Sequence, residues 1–262
     1  MRERVGAFFR NTYAPDSHGV CNVCRGPASG GICRICARHR NDYGNGLADR
    51  TVLLTYAQGS HPDGPHQSAH EVRAYKGYKG TPPVERCKEN LQLVVNTAIQ
   101  VHYPCISRWL NASWDGITFV PSRDRPGKNH PVAALANAVL SNSRLELQKF
   151  LLEPGPGSDN KHQLVADRFT VPDRWRDVVD GKNILIVDDT WTTGSSAQGA
   201  AIAVKGAGAS SVTVLCVDRW LRHDWEDHRT LIDTLDNPYD PLICPVVGRV
   251  CSRSADFRLT RV

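Results

Sequence analysis

The sequence predicts an α/β protein built on a parallel sheet, with a small zinc-ribbon-like module in front of it. Three features lead there. Short continuous apolar runs at 117–120 (ITFV), 184–187 (ILIV) and 212–217 (VTVLCV) read as strands covered on both faces. Stretches of helical periodicity alternate with them, as in βαβ units. Two Cys-x-x-Cys pairs, Cys21 with Cys24 and Cys33 with Cys36, stand in a Gly- and Arg-rich stretch with little apolar periodicity.

The 262 residues suffice for one α/β domain and an accessory module. An apolar share of 40% and a charged share of 23% belong to an ordinary globular chain. The formal net charge of +5 suits an anionic ligand or nucleic acid, and no Lys or Arg run concentrates it. The apolar run around Val214 is too short to span a bilayer, so no membrane partner is expected. The opening MRERVGAFFRNTYAPDSHG lacks the apolar stretch of a secretion signal. Nine cysteines, four of them in paired spacing, argue for bound metal in a reducing compartment, hence a cytoplasmic protein.

Residues 1–46 form the expected metal module. Its Cys-x2-Cys-x8-Cys-x2-Cys array lets four thiolates close a tetrahedral Zn²⁺ site with no open position, which makes the ion structural. An iron–sulfur cluster or a redox pair are the alternatives, with His39 as a substitute ligand. Residues 47–217 form the core. Strands are expected at 51–57, 117–120, 184–187 and 212–217, and helices at 84–101, 132–152 and 196–205. In the last helix Ala197, Ala200, Ala201 and Val204 recur at spacings of three and four and give one apolar face. The stretch HPDGPHQSAHE reads as loop. Its His66, His70 and Glu71 lack the His-Glu-x-x-His order of a hydrolytic zinc site. VRAYKGYKG mixes Tyr75 and Tyr78 with Lys76 and Lys79, which fits single-stranded nucleic acid or, as simply, a turn with two glycines. Residues 218–262 are a C-terminal extension. Trp220 and Trp225 are expected in ordinary packing there, or in a hood over a ligand. Cys244 and Cys251 are expected as buried free thiols, with a second metal site, completed by histidines or Cys216, as the alternative.

The stretch NILIVDDTWTTGSS carries the chemistry. A glycine and successive N–H groups leading into a helix N-terminus make an anion-binding nest, and the Thr and Ser hydroxyls add donors. No Gly-Lys-[Ser/Thr] triplet occurs, so this is not an ATP-type loop. Asp188 and Asp189, about one sugar length from the nest, suit the two hydroxyls of a ribose. The ligand implied is a ribose 5-phosphate.

ILIVDDTWTTGSS resembles the phosphoribosyl-diphosphate (PRPP) signature of the type I phosphoribosyltransferases. It departs from that pattern at Thr190, where an aliphatic residue is usual, and mildly at Trp191. ITFVPSRDRPGKNHPVAALANAV is similar to the strand, turn and helix of the competence-protein-F-like branch, which also carries an N-terminal zinc module. The resemblance implies Mg²⁺-dependent transfer of phosphoribose from PRPP to a nitrogenous base, with release of pyrophosphate. It implies catalytic roles for Asp188, Asp189, Arg123 and Lys161. Substrate contacts are implied for Ser122, Arg125, Lys128, Thr190, Trp191, Thr192, Thr193, Gly194, Ser195 and Ser196, and Arg168 is placed where it reaches pyrophosphate. The branch is linked to DNA uptake, so the resemblance also implies an alternative: a non-catalytic PRPP sensor or a protein that handles single-stranded DNA.

Overall fold

Side-chain alternation along the strands divides the apolar residues between two cores. Leu185 and Val187 enter one, Ile184 and Ile186 the other; Leu215 and Val217 follow the first pair, Val212, Val214 and Cys216 the second. The computed structural model in which this is seen describes residues 2–78, 80–122, 130–141, 145–160 and 163–251, with the side chain of residue 2 left out. Its elements are β1 (Arg10–Asn11), α1 (Arg34–Tyr43), β2 (Arg50–Gly59), α2 (Gln67–Ala74), α3 (Glu85–Leu110), β3 (Gly116–Phe119), α4 (Pro131–Leu140), β4 (Gln148–Lys149), β5 (Glu153–Pro154), β6 (Phe169–Thr170), α5 (Arg176–Val179), β7 (Asn183–Trp191), α6 (Ser195–Gly206), β8 (Ser211–Arg222) and α7 (Glu226–Ile232).

The main sheet has the order β1-β2-β8-β7-β3-β4. β1 runs antiparallel to β2, and every other neighbouring pair is parallel. The expected fold class, a mostly parallel α/β sheet, is the one found. α2, α3 and α4 cover one face and contribute Val72, Leu91, Val95, Leu135 and Val139 to the first core. α6 covers the other with Ala197, Ala200, Ala201 and Val204. Its small residues let the helix lie close to β7 and β8.

Three expected elements differ. Residues 67–74 are helical, because His66 caps α2 by accepting the Ser68 N–H on Nδ1. α3 runs on through Pro104 to Leu110, since Ile106 is still fully buried and packing outweighs the lost N–H. The helix expected at 132–152 ends at Leu140. Leu145, Phe150 and Leu152 are buried by extended chain, with β4 paired to β3. Closely spaced leucines there mimic helical periodicity.

The cysteine module is sewn to the sheet. Cys21, Cys24 and Cys36 share the second core with Leu53, Trp191 and Ala197. Arg25, fully buried, donates to Val23 O at 3.0 Å and to Thr51 O at 2.8 Å, and Tyr56 donates back to Arg25 O at 2.7 Å. At the other end of the chain, β8 continues beyond Val217 to Arg222, and Tyr239, Cys244 and Cys251 pack in the first core. Trp220 is buried under the Arg73 guanidinium, and Trp225 is exposed beside Arg222 and His228. Among the described residues no helix is long and apolar enough to cross a membrane.

Candidate active site

β3 and β7 are neighbours, yet the chain leaves them in opposite directions. β3 leads through α4 to β4 at one edge, and β7 leads through α6 to β8 toward the other. Such a reversal opens a crevice at the carboxyl ends of the two strands, where ligands bind in open α/β sheets. A cavity of about 440 Å³ lies there. Val120, Pro121 and Ser122 line it after β3, Asp188, Asp189 and Thr190 from β7, and Ser196 from α6. Lys76 and Gly77 close one side, and Pro154, Ser158, Arg168 and Phe169 another.

The acid pair sits inside the strand rather than after it. β7 keeps its parallel pairing with β8 past Val187, so Asp188 lies opposite Cys216 and Thr190 opposite Asp218. Both acids are buried apart from their cavity edge. Asp188 Oδ1 accepts the Asp189 N–H at 2.9 Å, and Asp189 Oδ1 accepts the Thr190 N–H at 2.9 Å. Asp189 Oδ2 takes the Tyr75 hydroxyl at 2.7 Å and an ion pair with Lys76. These partners split the two carboxyls. Burial and the neighbouring Asp189 charge push Asp188 well above the usual carboxylate range. Burial pushes Asp189 the same way, but Lys76 and Tyr75 outweigh it and hold the group down to about 2. Behind them Asp218 accepts the Thr190 hydroxyl at 2.9 Å and is raised by burial and by Asp189. Asp188 and Asp189 give the cavity wall hard oxygen donors of the kind that suit Mg²⁺.

The turn from Thr192 to Ser196 is built around two contacts. Gly194 has φ +82°, and a Cβ there would lie 2.3 Å from the Trp191 ring. Trp191 is thus not a cavity residue as expected. Its ring is buried in the second core and fills the floor beneath the turn, because a large indole gains more from burial than from the ligand edge. Arg219 supplies the second contact: its Nη1 donates to the carbonyls of Trp191 at 3.0 Å and Thr192 at 2.7 Å. Thr192 is exposed, Thr193 and Ser195 share a hydroxyl hydrogen bond of 2.9 Å, and Ser195 opens α6. The Ser195 N–H donates to Thr193 Oγ1 at 3.4 Å and the Gln198 N–H to Gly194 O at 2.8 Å, and the helix dipole adds positive potential at the turn.

No family model matches this sequence, and no curated protein does. Solved structures do. One, described as the allosteric regulatory enzyme of purine biosynthesis, matches at 17% identity and a TM-score of 0.33, over 56% of this chain and 29% of that one. Another, a phosphoribosyltransferase from Corynebacterium diphtheriae, matches at 17% identity and a TM-score of 0.30, over 62% of this chain and 89% of that one. This chain thus spans less than a third of the length of the first.

Of the residues singled out in the sequence, Asp188, Asp189, Thr190, Ser196 and Ser122 line the cavity and Arg168 forms part of its wall, whereas Thr192, Thr193, Gly194 and Ser195 do not line it. Arg123, Arg125, Lys128 and Lys161 lie outside the described residues, as does Lys79. Sequence reasoning missed Tyr75, Lys76, Asp218 and Arg219. Tyr75 and Lys76 stand in a stretch that reads as a nucleic-acid-binding segment or a turn with two glycines; they reach the acid pair because α2 packs beside β2. Asp218 and Arg219 could have been found by extending β8 one turn of alternation beyond Val217.

The four cysteines of the N-terminal module come together. Their sulfurs all lie within 4.8 Å of one another, with 3.7 Å between Cys24 and Cys33. Amide N–H groups of Cys24, Gly26 and Cys36 point at sulfurs of Cys21, Cys24 and Cys33 at 3.4–3.5 Å. Four soft donors with amide support fit a tetrahedral Zn²⁺ ion. His39 is buried on α1 outside this sulfur group, and Cys216 lies in β8 beside the acids.

Proposed function

We propose that the cavity binds PRPP with Mg²⁺, and that the protein transfers the phosphoribosyl group to a nitrogenous base with release of pyrophosphate. One observation carries the reading: a buried acid pair and Ser196 in the first turn of α6 line one cavity at the strand-order reversal. Its volume of about 440 Å³ is in the range of small-molecule sites.

Asp188 and Asp189 take the ribose hydroxyls, and the turn at Thr193, Gly194, Ser195 and Ser196 takes the 5′-phosphate. Arg168 faces the pyrophosphate, joined in the resemblance by Arg123, Arg125, Lys128 and Lys161. In the reaction the C1–O bond breaks, its electron pair leaving on pyrophosphate. The base nitrogen forms the new bond to C1 with its lone pair, and its proton passes to solvent. Mg²⁺, when bound, neutralises the charge that gathers on the leaving group. The protein's own work is to hold both ends of the sugar in line, place negative charge near the ring as it turns cationic, and exclude water. The Cys21, Cys24, Cys33 and Cys36 cluster holds a structural Zn²⁺ ion.

The test is pyrophosphate release from PRPP and Mg²⁺ across a panel of purine and pyrimidine bases. Release that depends on one base, and disappears in Asp188→Asn/Asp189→Asn, supports transfer. PRPP binding without release from any base makes the protein a sensor instead.

A further inference from the structure

α3 presents His102 and Cys105, three residues apart and therefore on one face, to the segment after Asp240. That segment doubles back on itself. Ile243 and Val250 pair as an antiparallel bridge, and Gly248 supplies a φ of +74° at the turn. The turn sets Cys244 beside Cys251. Their sulfurs and a ring nitrogen of His102 all lie within 4.8 Å of one another, and all three residues are buried. Cys105 Sγ lies 2.8 Å from Cys251 Sγ.

Three details distinguish this cluster from a chance meeting of thiols. The first is the histidine. His102 Nε2 lies 2.8 Å from Pro241 O, and a carbonyl only accepts, so Nε2 carries the hydrogen. The neutral ring then turns its Nδ1 lone pair to Cys251 Sγ, 3.9 Å away. A ring anchored to a backbone carbonyl, with its other nitrogen aimed at the donors, is how metal-bound histidines are held. The second is a fixed turn: the N–H groups of Val247 and Gly248 donate to the Cys244 carbonyl at 3.3 and 2.8 Å, which holds that thiol beside Cys251. The third is spacing. Sulfur and nitrogen ligands of one tetrahedral zinc lie roughly 3.5–3.8 Å apart. His102 and Cys251 are near that distance already. Cys105, the least buried of the four, stands outside the 4.8 Å group, and a side-chain rotation that draws it about 1 Å from Cys251 and toward the other donors completes the set.

We propose that His102, Cys105, Cys244 and Cys251 bind a second Zn²⁺ ion. Three thiolates and one imidazole form a closed structural set and select zinc over oxygen-seeking cations. The ion fastens the C-terminal segment to α3, and the site is independent of the ribose-phosphate reading.

Zinc content of the full chain, purified under reducing conditions, tests this. Wild type holds two ions per chain, Cys251→Ala one, and Cys251→His two, since histidine restores the ligand. Cobalt(II) loading gives a thiolate charge-transfer band whose intensity falls by nearly half in Cys251→Ala. Circular dichroism identifies any variant that fails to fold, and Cys244→Ser then replaces it, again with one ion expected. Equal zinc in wild type and Cys251→Ala overturns the proposal. So does a Cys105–Cys251 disulfide found by mass spectrometry after thiol blocking of the same preparation.

Discussion

Lys76 and Asp189 form an ion pair at the wall of the cavity, although 113 residues separate them in the chain. Together with the Tyr75 hydroxyl it keeps Asp189 ionised while its neighbour Asp188 is driven toward the neutral form. Two adjacent carboxyls are thereby shifted in opposite directions.

Replacing Lys76 by Met removes the cation from Asp189. The folded value of Asp189, about 2, lies below the ordinary aspartate value of 3.8. A carboxylate depressed in this way stabilises the fold above its unfolded value and loses the contribution as pH falls through the folded one. Lys76→Met is expected to cost about 2 kcal/mol near pH 7, with the deficit shrinking between pH 4 and 2. Urea unfolding at pH 7 and pH 3 measures both values. A deficit independent of pH would show that Lys76 acts through packing alone.

Asp188 works in the opposite sense. Burial and Asp189 raise it, so its contribution turns unfavourable as pH rises through the folded value and vanishes below about pH 4. Asp188→Asn is therefore expected to raise the Tm at pH 8 and leave it nearly unchanged at pH 4. The same variant is expected to weaken PRPP binding under the proposed function. Scanning calorimetry at the two pH values checks the sign.

Gly194→Ala meets two obstacles. Its φ of +82° disfavours any Cβ, and that Cβ would strike the Trp191 ring. The cost expected is about 2–4 kcal/mol, part conformational and part overpacking. Adding Trp191→Leu relieves the second part only, so denaturant unfolding of the double variant recovers some stability relative to Gly194→Ala.

Arg219 joins the cysteine module to the turn that precedes α6. Its Nη1 holds the carbonyls of Trp191 and Thr192, and its guanidinium lies against Gly26, where an added Cβ would be 2.5 Å away. Arg219→Met leaves those carbonyls without a donor, at a cost of about 2–4 kcal/mol. Hydrogen exchange at 191–196 is expected to speed up in that variant. Cys21→Ser/Cys24→Ser is expected to produce a weaker form of the same change, transmitted through Arg219. Unchanged protection at 191–196 in both variants contradicts the link.

The parts legible in the sequence are those whose signal is local. Ile184 to Val187 announce a buried strand, Asp188 to Ser196 follow it directly, and Cys21 to Cys36 fall within sixteen residues. Residues that arrive by tertiary packing were not legible. Tyr75 and Lys76 come from another element, and their own neighbours describe only a basic turn. Trp191 belongs to the motif in sequence but to the second core in space, where its ring packs beneath Gly194. The 132–152 stretch failed because Leu145, Leu147, Phe150 and Leu152 satisfy helical spacing as well as the extended path that buries three of them.

The central claim is that the acid pair grips the ribose of a 5′-phosphorylated sugar. Calorimetric titration of PRPP with Mg²⁺ into wild type and Asp188→Asn/Asp189→Asn addresses it most directly. The account predicts measurable heat and a saturating isotherm for wild type, and no binding for the folded double variant. An unchanged affinity in that variant would contradict it.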